Sequence, residues 1–381
     1  MGGLVILMTK KIPLTKPHIP SEAIRRLEEV LNSGFLTEGS VTRELEDRVA
    51  TYTRARYAVA FTSCTTGMET ALRSLGLSKG DEVIVPGYTY PATANVVYAV
   101  GAEPVLVDVD KDTANIDYSK IEQAITPRTK AILPVSLFGN PLDYSKLNNI
   151  KKKHGIYIIE DAACSIGSSY NGVMTGNLAD ATVFSFHPRK IITTGEGGML
   201  TTNNSKIARF CKSYKYFGMR ADLKDGAIEL AKNDFIINGS NFKLSDIQSA
   251  VGISQMEIID GLIEERRDLA RRYATLLESI GEVQVLKVTD KGKHSYQSFC
   301  IIIPNRDEII REMRNRGIET QIGSIVLHEQ TAFRSTKISG DLKNSETLGK
   351  SCMALPFYNG MTAEEQELVV KELNLLLQGA E

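Results

Sequence analysis

Lys190 stands four residues past the apolar run ATVFSF (181–186), in the segment FSFHPRKIITTGEGGML (184–200). A lysine amine attacks carbonyl groups once desolvation or a neighbouring positive charge makes its neutral form accessible. Read alone, a Lys–Arg pair in a loop is also simply a solvated pair. Two acids, Glu160 and Asp161, close the run GIYIIEDAA (155–163). Successive strand residues face opposite sides, so only one of the two can enter a given site. A carboxylate buried there needs a compensating partner, and an ordinary salt bridge or cap would also meet that need. TSCTTG (62–67) places small hydroxyl residues and a glycine ahead of a helical pattern. Such a turn is an anion cradle, with free N–H groups at the positive end of the helix dipole; N-capping by Thr65 or Thr66 fits it as well. PGYTYPAT (86–93) carries Tyr88 and Tyr90, whose rings suit either packing or stacking on a flat ligand.

The elements that must position these residues alternate. YAVAF (57–61), DEVIVP (81–86), PVLVDVD (104–110), KAILPVSLF (130–138) and 155–163 read as strands. Helical spacing occupies 66–77, a stretch through Val96 and Val100, 117–125 and 143–153. Near-continuous Val/Ile/Leu runs are what strands covered on both faces require. The alternation predicts an α/β fold with a mostly parallel central sheet flanked by helices, in which ligands gather at the carboxyl ends of strands. ATVFSF and GGMLTT (197–202) lie too close for a helical crossover, so one of them should run antiparallel. From Ser245 a long helical stretch to Gly281, a single connecting helix or a pair, leads into a smaller C-terminal α/β domain. The expected division is 1–244 and 245–381.

Composition narrows the partners. A formal net charge of -1 provides no electrostatic footprint for nucleic acid or an anionic membrane. The basic run Lys151–Lys153 suits a helix C-terminus. Cysteines at 64, 164, 211, 300 and 352 form no CxxC pair, which argues against a disulfide framework or a metal site and suits a reducing compartment. MGGLVILMTKK has its lysines after the apolar run, the reverse of a secretory signal, so a cytoplasmic location is expected. Neither G-x-G-x-x-G nor GK[ST] occurs, so the common dinucleotide and nucleotide loops do not fit.

Taken together, the four strand ends ask for a flat ligand with a phosphate, a group that wants a carboxylate, and a carbonyl that accepts an amine. Pyridoxal phosphate has all four features. At this point the sequence resembles the DegT family of sugar-nucleotide aminotransferases, enzymes of pyridoxal-phosphate fold type I. The resemblance runs through IPLTKPHIP, LNSGFLTEG, TSCTTGMETAL, DEVIVPGYTYPAT, ITPRTKAILPVSLFGNPLD, IIEDAACSIGSSYNG, FSFHPRKIITTGEGGM, GSNFKLSDIQSAVG and SCMALPFYNGMTAEEQ, in the family's order.

The resemblance implies that Lys190 forms the Schiff base and that Asp161 pairs with the pyridine nitrogen, leaving Glu160 turned away. Thr65, Thr66 and Ser185 would hold the phosphate, and Tyr90 would stack on the ring. Asn241 would reach the phosphate of a neighbouring subunit, which implies a homodimer with shared active sites. His328 falls in a substrate-side loop. Two positions depart from the family: Cys164 stands where Gln or His usually touches the ring, and Lys243 where arginine is usual. A thiol is a weaker hydrogen-bond partner, and lysine lacks the planar fork. The implied reaction moves an amino group, from glutamate, through pyridoxamine phosphate onto a keto carbon of a nucleotide-linked deoxyhexose. A related sugar 3-dehydratase would carry histidine in place of Lys190. A cyclitol or sugar acid is an alternative acceptor. A non-catalytic regulatory relative would have no need of the lysine, aspartate and phosphate turn together.

Overall fold

The computed structural model describes residues 11–224 and 227–379, so the N-terminal run MGGLVILMT lies outside the described residues. Its main feature is an eight-stranded sheet in the order 57–61, 198–202, 181–185, 157–161, 129–132, 82–86, 103–107, 337–338. The strands from 181–185 to 337–338 pair in parallel. Gly198–Thr202 is antiparallel to both neighbours, as its short connection requires.

Alternate residues of these strands feed two cores. Val83, Val85, Ile159 and Val183 pack on one face with Met68 and Leu72 of the helix Cys64–Ser74. Ile84, Ile158 and Ile132 pack on the other with Leu147 and Ile150 of the helix Tyr144–His154. Both faces are apolar, which is why the strands read as unbroken apolar runs. The Lys151–Lys153 run falls in the last turn of Tyr144–His154, as its charge suggested.

Several expected boundaries move. The strand expected over 130–138 stops at Ile132. Pro134 has no N–H to give the ladder, and beyond it only a single bridge, Val135 to Asp161, continues the pairing. The helix expected from Thr66 starts at Cys64, and its N-cap is Ser63, not Thr65 or Thr66.

After Ser245 come two helices, Asp246–Met256 and Ile259–Leu277. Strands 284–285, 299–302, 352–355 and 321–322 then form a second, antiparallel sheet. It packs through Phe299, Met353 and Leu355 on Tyr273, Met313, Val369 and Leu373 of three helices. This half also reaches back. Lys337–Ile338 extends the large sheet, Ile325–Val326 pairs with Tyr88–Thr89, and Gly292–Lys293 pairs with Ser169–Tyr170. No helix among the described residues is long and apolar enough to cross a membrane.

Beneath the strand 57–61 lies a buried charge network. Glu46 accepts from the Ala60 N–H at 2.8 Å, and Lys215 donates to Glu46 at 3.1 Å and to the Ala60 carbonyl at 2.8 Å. Glu38 and Lys212 complete it. Burial alone would push the Glu46 carboxyl up, but Lys212 and Lys215 hold it down to about 2. Its folded-state value lies below the ordinary 4.5, so the stabilisation is full above that pH and is lost as pH falls toward 2. Glu46→Ala removes one of the two carboxylates that share the buried ammonium groups and leaves the Ala60 N–H without its acceptor, and the expected cost is about 3–5 kcal/mol. Thermal and urea unfolding at pH 7 would measure it, and a loss under about 1 kcal/mol would contradict this account.

Candidate active site

The sheet brings the strand ends of the sequence reading to one place. Asp161 ends the strand 157–161 and is 4% exposed. It accepts hydrogen bonds from Thr93 Oγ1 at 2.8 Å and the Ala163 N–H at 3.1 Å. Burial pushes its carboxyl above the ordinary range, against these two bonds and the charge of Lys190. Glu160 faces the other side, where Tyr144 Oη at 2.6 Å, Thr182 Oγ1 at 3.2 Å and Ser136 Oγ donate to it. The period-two argument thus separates the two acids.

Lys190 sits in the loop joining strands 181–185 and 198–202. Lys190 N–H bonds the His187 carbonyl at 2.9 Å, closing a turn with Pro188 at its second position, where the fixed φ of proline suits it. Phe186 and Gly197 close the loop base at 2.9 Å. Gly195, at φ 82°, takes a left-handed conformation that a side chain would disfavour. The Lys190 amine reaches Cys164 Sγ at 3.1 Å, three residues beyond Asp161. Burial lowers its pKa, but Cys164 and Asp161 outweigh that and the net direction is upward. The neighbouring cation does not counter this: Arg189 extends to Gln321 Oε1 at 3.0 Å. Cys164, expected to be a weak partner, is therefore the group that the amine meets.

The helix Cys64–Ser74 begins beside this cluster. Ser63 Oγ accepts from the Thr66 N–H at 3.1 Å, and Thr66 Oγ1 accepts from the Ser63 N–H at 3.2 Å, a reciprocal capping box. Thr65 and Thr66 are half-buried in the first turn, where helix geometry leaves N–H groups without intrahelical partners. Gly198 lies opposite both Phe61 and Ser185 in the sheet. A Cβ added to Gly198 would lie 2.4 Å from the Cys64 nitrogen, so this close approach sets Ser185 near the helix start. Gly198→Ala forces the helix start away, at an expected cost of about 1–3 kcal/mol. Thermal unfolding with a titration of pyridoxal phosphate would detect both the destabilisation and a weakened cofactor affinity; unchanged values for both would exclude this role.

Of the two aromatics, Tyr88 is buried, with its hydroxyl accepting from the Ser324 N–H at 2.8 Å. Tyr90 is 69% exposed and free to meet a ligand. Asn241 is exposed and takes Lys243 Nζ on its Oδ1 at 2.5 Å. Lys243 lies 4.4 Å over the Phe217 ring, a cation–π contact in place of a bidentate one. His328 turns to Glu346 Oε1 at 3.2 Å, a bond to the helix Lys343–Ser351 rather than to the Lys190 cluster. Thr93, on Asp161, and Gln297, on the Lys190 loop, were not singled out in the sequence. Thr93 lay within the PGYTYPAT segment, but Gln297 carries no local signal.

This donor set fits pyridoxal phosphate. Asp161 is a buried carboxylate whose direct hydrogen bonds come from neutral donors, Lys190 supplies an amine, and a helix N-terminus offers N–H groups beside Ser185.

Residues 17–374 match the DegT/DnrJ/EryC1/StrS aminotransferase family. The spore coat polysaccharide biosynthesis protein SpsC of Bacillus subtilis is 31% identical over 389 residues, covering 97% of this chain and 98% of the relative. A putative sugar aminotransferase from Streptococcus pneumoniae, solved in its PMP form, superposes with a TM-score of 0.89 at 29% identity over 97% of this chain and all of that one; its PLP form superposes equally, at 0.89. PseC of Helicobacter pylori, an aminotransferase involved in pseudoaminic acid biosynthesis, superposes at 0.89 with 26% identity, over 97% of this chain and all of its own. The chain belongs to the DegT/DnrJ/EryC1/StrS family and is a pyridoxal-phosphate-dependent aminotransferase.

Proposed function

We propose that this aminotransferase transfers an amino group from glutamate to a keto carbon of a nucleotide-linked deoxyhexose, for amino-sugar and polysaccharide biosynthesis. The observation that carries the reading is an amine and a buried carboxylate, Lys190 and Asp161, close enough for their charges to interact, with the amine on Cys164 Sγ and a helix start beside them. The relatives act in polysaccharide and sugar contexts by their names, which supports the sugar as acceptor.

Pyridoxal phosphate, when bound, supplies an aldehyde that exchanges the amino group and a ring that withdraws electrons. Lys190 binds that aldehyde and then carries the proton to and from the reacting carbon, as general base and acid. Asp161 holds a proton at the pyridine nitrogen, and Thr93 and the Ala163 N–H keep its carboxylate aimed. The first-turn N–H groups, Thr65, Thr66 and Ser185 hold the phosphate. Tyr90 packs on the ring. Cys164 faces the amine and takes the position next to the ring. Asn241 of the partner subunit completes the phosphate site in a homodimer, a reading supported by the exposure of Phe35, Leu36 and Phe217. His328 lies on the substrate side, and the compartment is cytoplasmic, where five free thiols persist.

A panel of keto-sugar nucleotides incubated with glutamate tests the substrate. The expected result is 2-oxoglutarate and an amino-sugar nucleotide in equal amounts by mass spectrometry. Turnover of a keto-cyclitol or a free sugar acid, with every nucleotide sugar refused, would replace this reading.

A further inference from the structure

Gln297 lies outside the strand-end cluster but grips the loop that carries Lys190. Its side chain is 7% exposed. Its Oε1 accepts from the Ile191 N–H at 2.9 Å, and its Nε2 donates to the Arg189 carbonyl. One amide therefore bonds the residues immediately before and after the lysine. An amide side chain does this because one end accepts and the other donates. We propose that Gln297 is the positioning residue for Lys190, fixing where the amine enters the site. The inference rests on Lys190 being the lysine that binds the cofactor.

Gln297 is itself held rigidly. Arg266, 2% exposed, donates Nη1 to the Gln297 carbonyl at 3.3 Å and to the Tyr296 carbonyl at 3.1 Å. Its Nε is taken by Asn359 Oδ1 at 2.8 Å. On the other side the Ser298 N–H bonds the Phe138 carbonyl at 3.3 Å, next to Gly139, whose φ of 98° lets the two backbones meet. A Cβ on Gly139 would lie 3.0 Å from the Gln297 nitrogen. Two residues later the chain enters the strand Phe299–Ile302 of the smaller sheet. The peptide groups on either side of the lysine are thereby tied to that sheet by the Gln297 side chain, beside the Arg189 bond to Gln321.

A second glutamine, which bonds the same loop from elsewhere, provides an internal comparison. Gln255, fully buried on the helix Asp246–Met256, accepts from the Thr193 N–H at 2.9 Å and donates to the Thr193 carbonyl at 2.6 Å. It secures the loop three residues further on without touching the peptide groups beside Lys190. A general loosening of the loop would affect both variants alike; positioning of the amine would affect only Gln297.

The test uses holoenzyme carrying Gln297→Ala, Gln297→Glu, Gln255→Ala and Lys190→Ala. The readouts are thermal unfolding, the pH titration of the bound cofactor's visible absorbance, and kcat and KM for the amino donor. Gln297→Ala is expected to lower kcat about 10- to 100-fold, the scale of a small misplacement of a reacting group, with KM within about threefold. Its absorbance midpoint should move by about half a unit or more. Gln297→Glu keeps the acceptor for Ile191 but cannot donate to Arg189, and its negative charge should raise the midpoint above that of Gln297→Ala. Gln255→Ala should unfold at lower temperature with the wild-type midpoint. Wild-type midpoints in both Gln297 variants, or equal shifts in Gln255→Ala, would overturn the inference. Turnover and visible absorbance surviving in Lys190→Ala would instead overturn the role of the lysine itself, which separates the two failures.

Discussion

Lys190→Ala is expected to lose the visible absorbance of bound pyridoxal phosphate and about 10³-fold or more of turnover, since it removes both the covalent anchor and the proton carrier. The fold should survive, because the side chain is half-buried and its one hydrogen bond goes to Cys164. Circular dichroism would confirm this, and added small amines should restore part of the rate by carrying the proton in its place. Partial rescue would distinguish lost chemistry from lost structure. Wild-type turnover in this variant would end the assignment of Lys190.

Asp161→Asn is the second large effect, and it acts in opposite directions on rate and stability. Asparagine keeps the shape and a bond to the Ala163 N–H but cannot hold a proton at the pyridine nitrogen as a carboxylate does. Turnover should fall about 10²- to 10⁴-fold. In the cofactor-free protein the carboxyl is raised above its ordinary 3.8 by burial. A group whose folded-state value is raised binds its proton more tightly when folded. Its charged form therefore costs stability as pH rises from 3.8 through the folded value. Removing the charge should raise the unfolding temperature of the apoprotein near pH 7, and the gain should shrink as pH is lowered toward 3.8. A variant with wild-type kcat would exclude the ring-nitrogen role. A destabilised apoprotein would exclude the burial argument.

The placement of these two residues was legible in the sequence because it depends on local rules, whereas the roles proposed for them come from the family resemblance. Strand periodicity puts Glu160 and Asp161 on opposite faces, and in the structure Asp161 meets Thr93 and the Ala163 N–H while Glu160 meets Tyr144, Thr182 and Ser136. Pro188 and the glycines after Lys190 announce a turn, and a turn at a parallel strand's carboxyl end is where ligands gather. Identifying the helix cap was harder, because Ser63, Thr65 and Thr66 all have capping side chains. Backbone geometry chose Ser63, whose extended φ of -162° frees its hydroxyl to face back along the helix. The strand expected through Pro134 was overextended because apolar content continues where the backbone ladder cannot.

What the sequence determined by itself was the alternation of strands and helices from 57 onward, an antiparallel pairing between 181–186 and 197–202 without saying which strand reverses, and which residue types wait at each strand end. Periodicity and turn chemistry act within a few residues, so the sequence shows them directly. Tertiary structure alone decided that Lys190 meets Cys164, that Thr93 aims Asp161, and that Gln297 spans Lys190 from over a hundred residues away. It also decided that Lys337–Ile338 returns to the edge of the large sheet. Such contacts depend on where distant segments come to lie once both cores have closed, and residue spacing along the chain does not specify that.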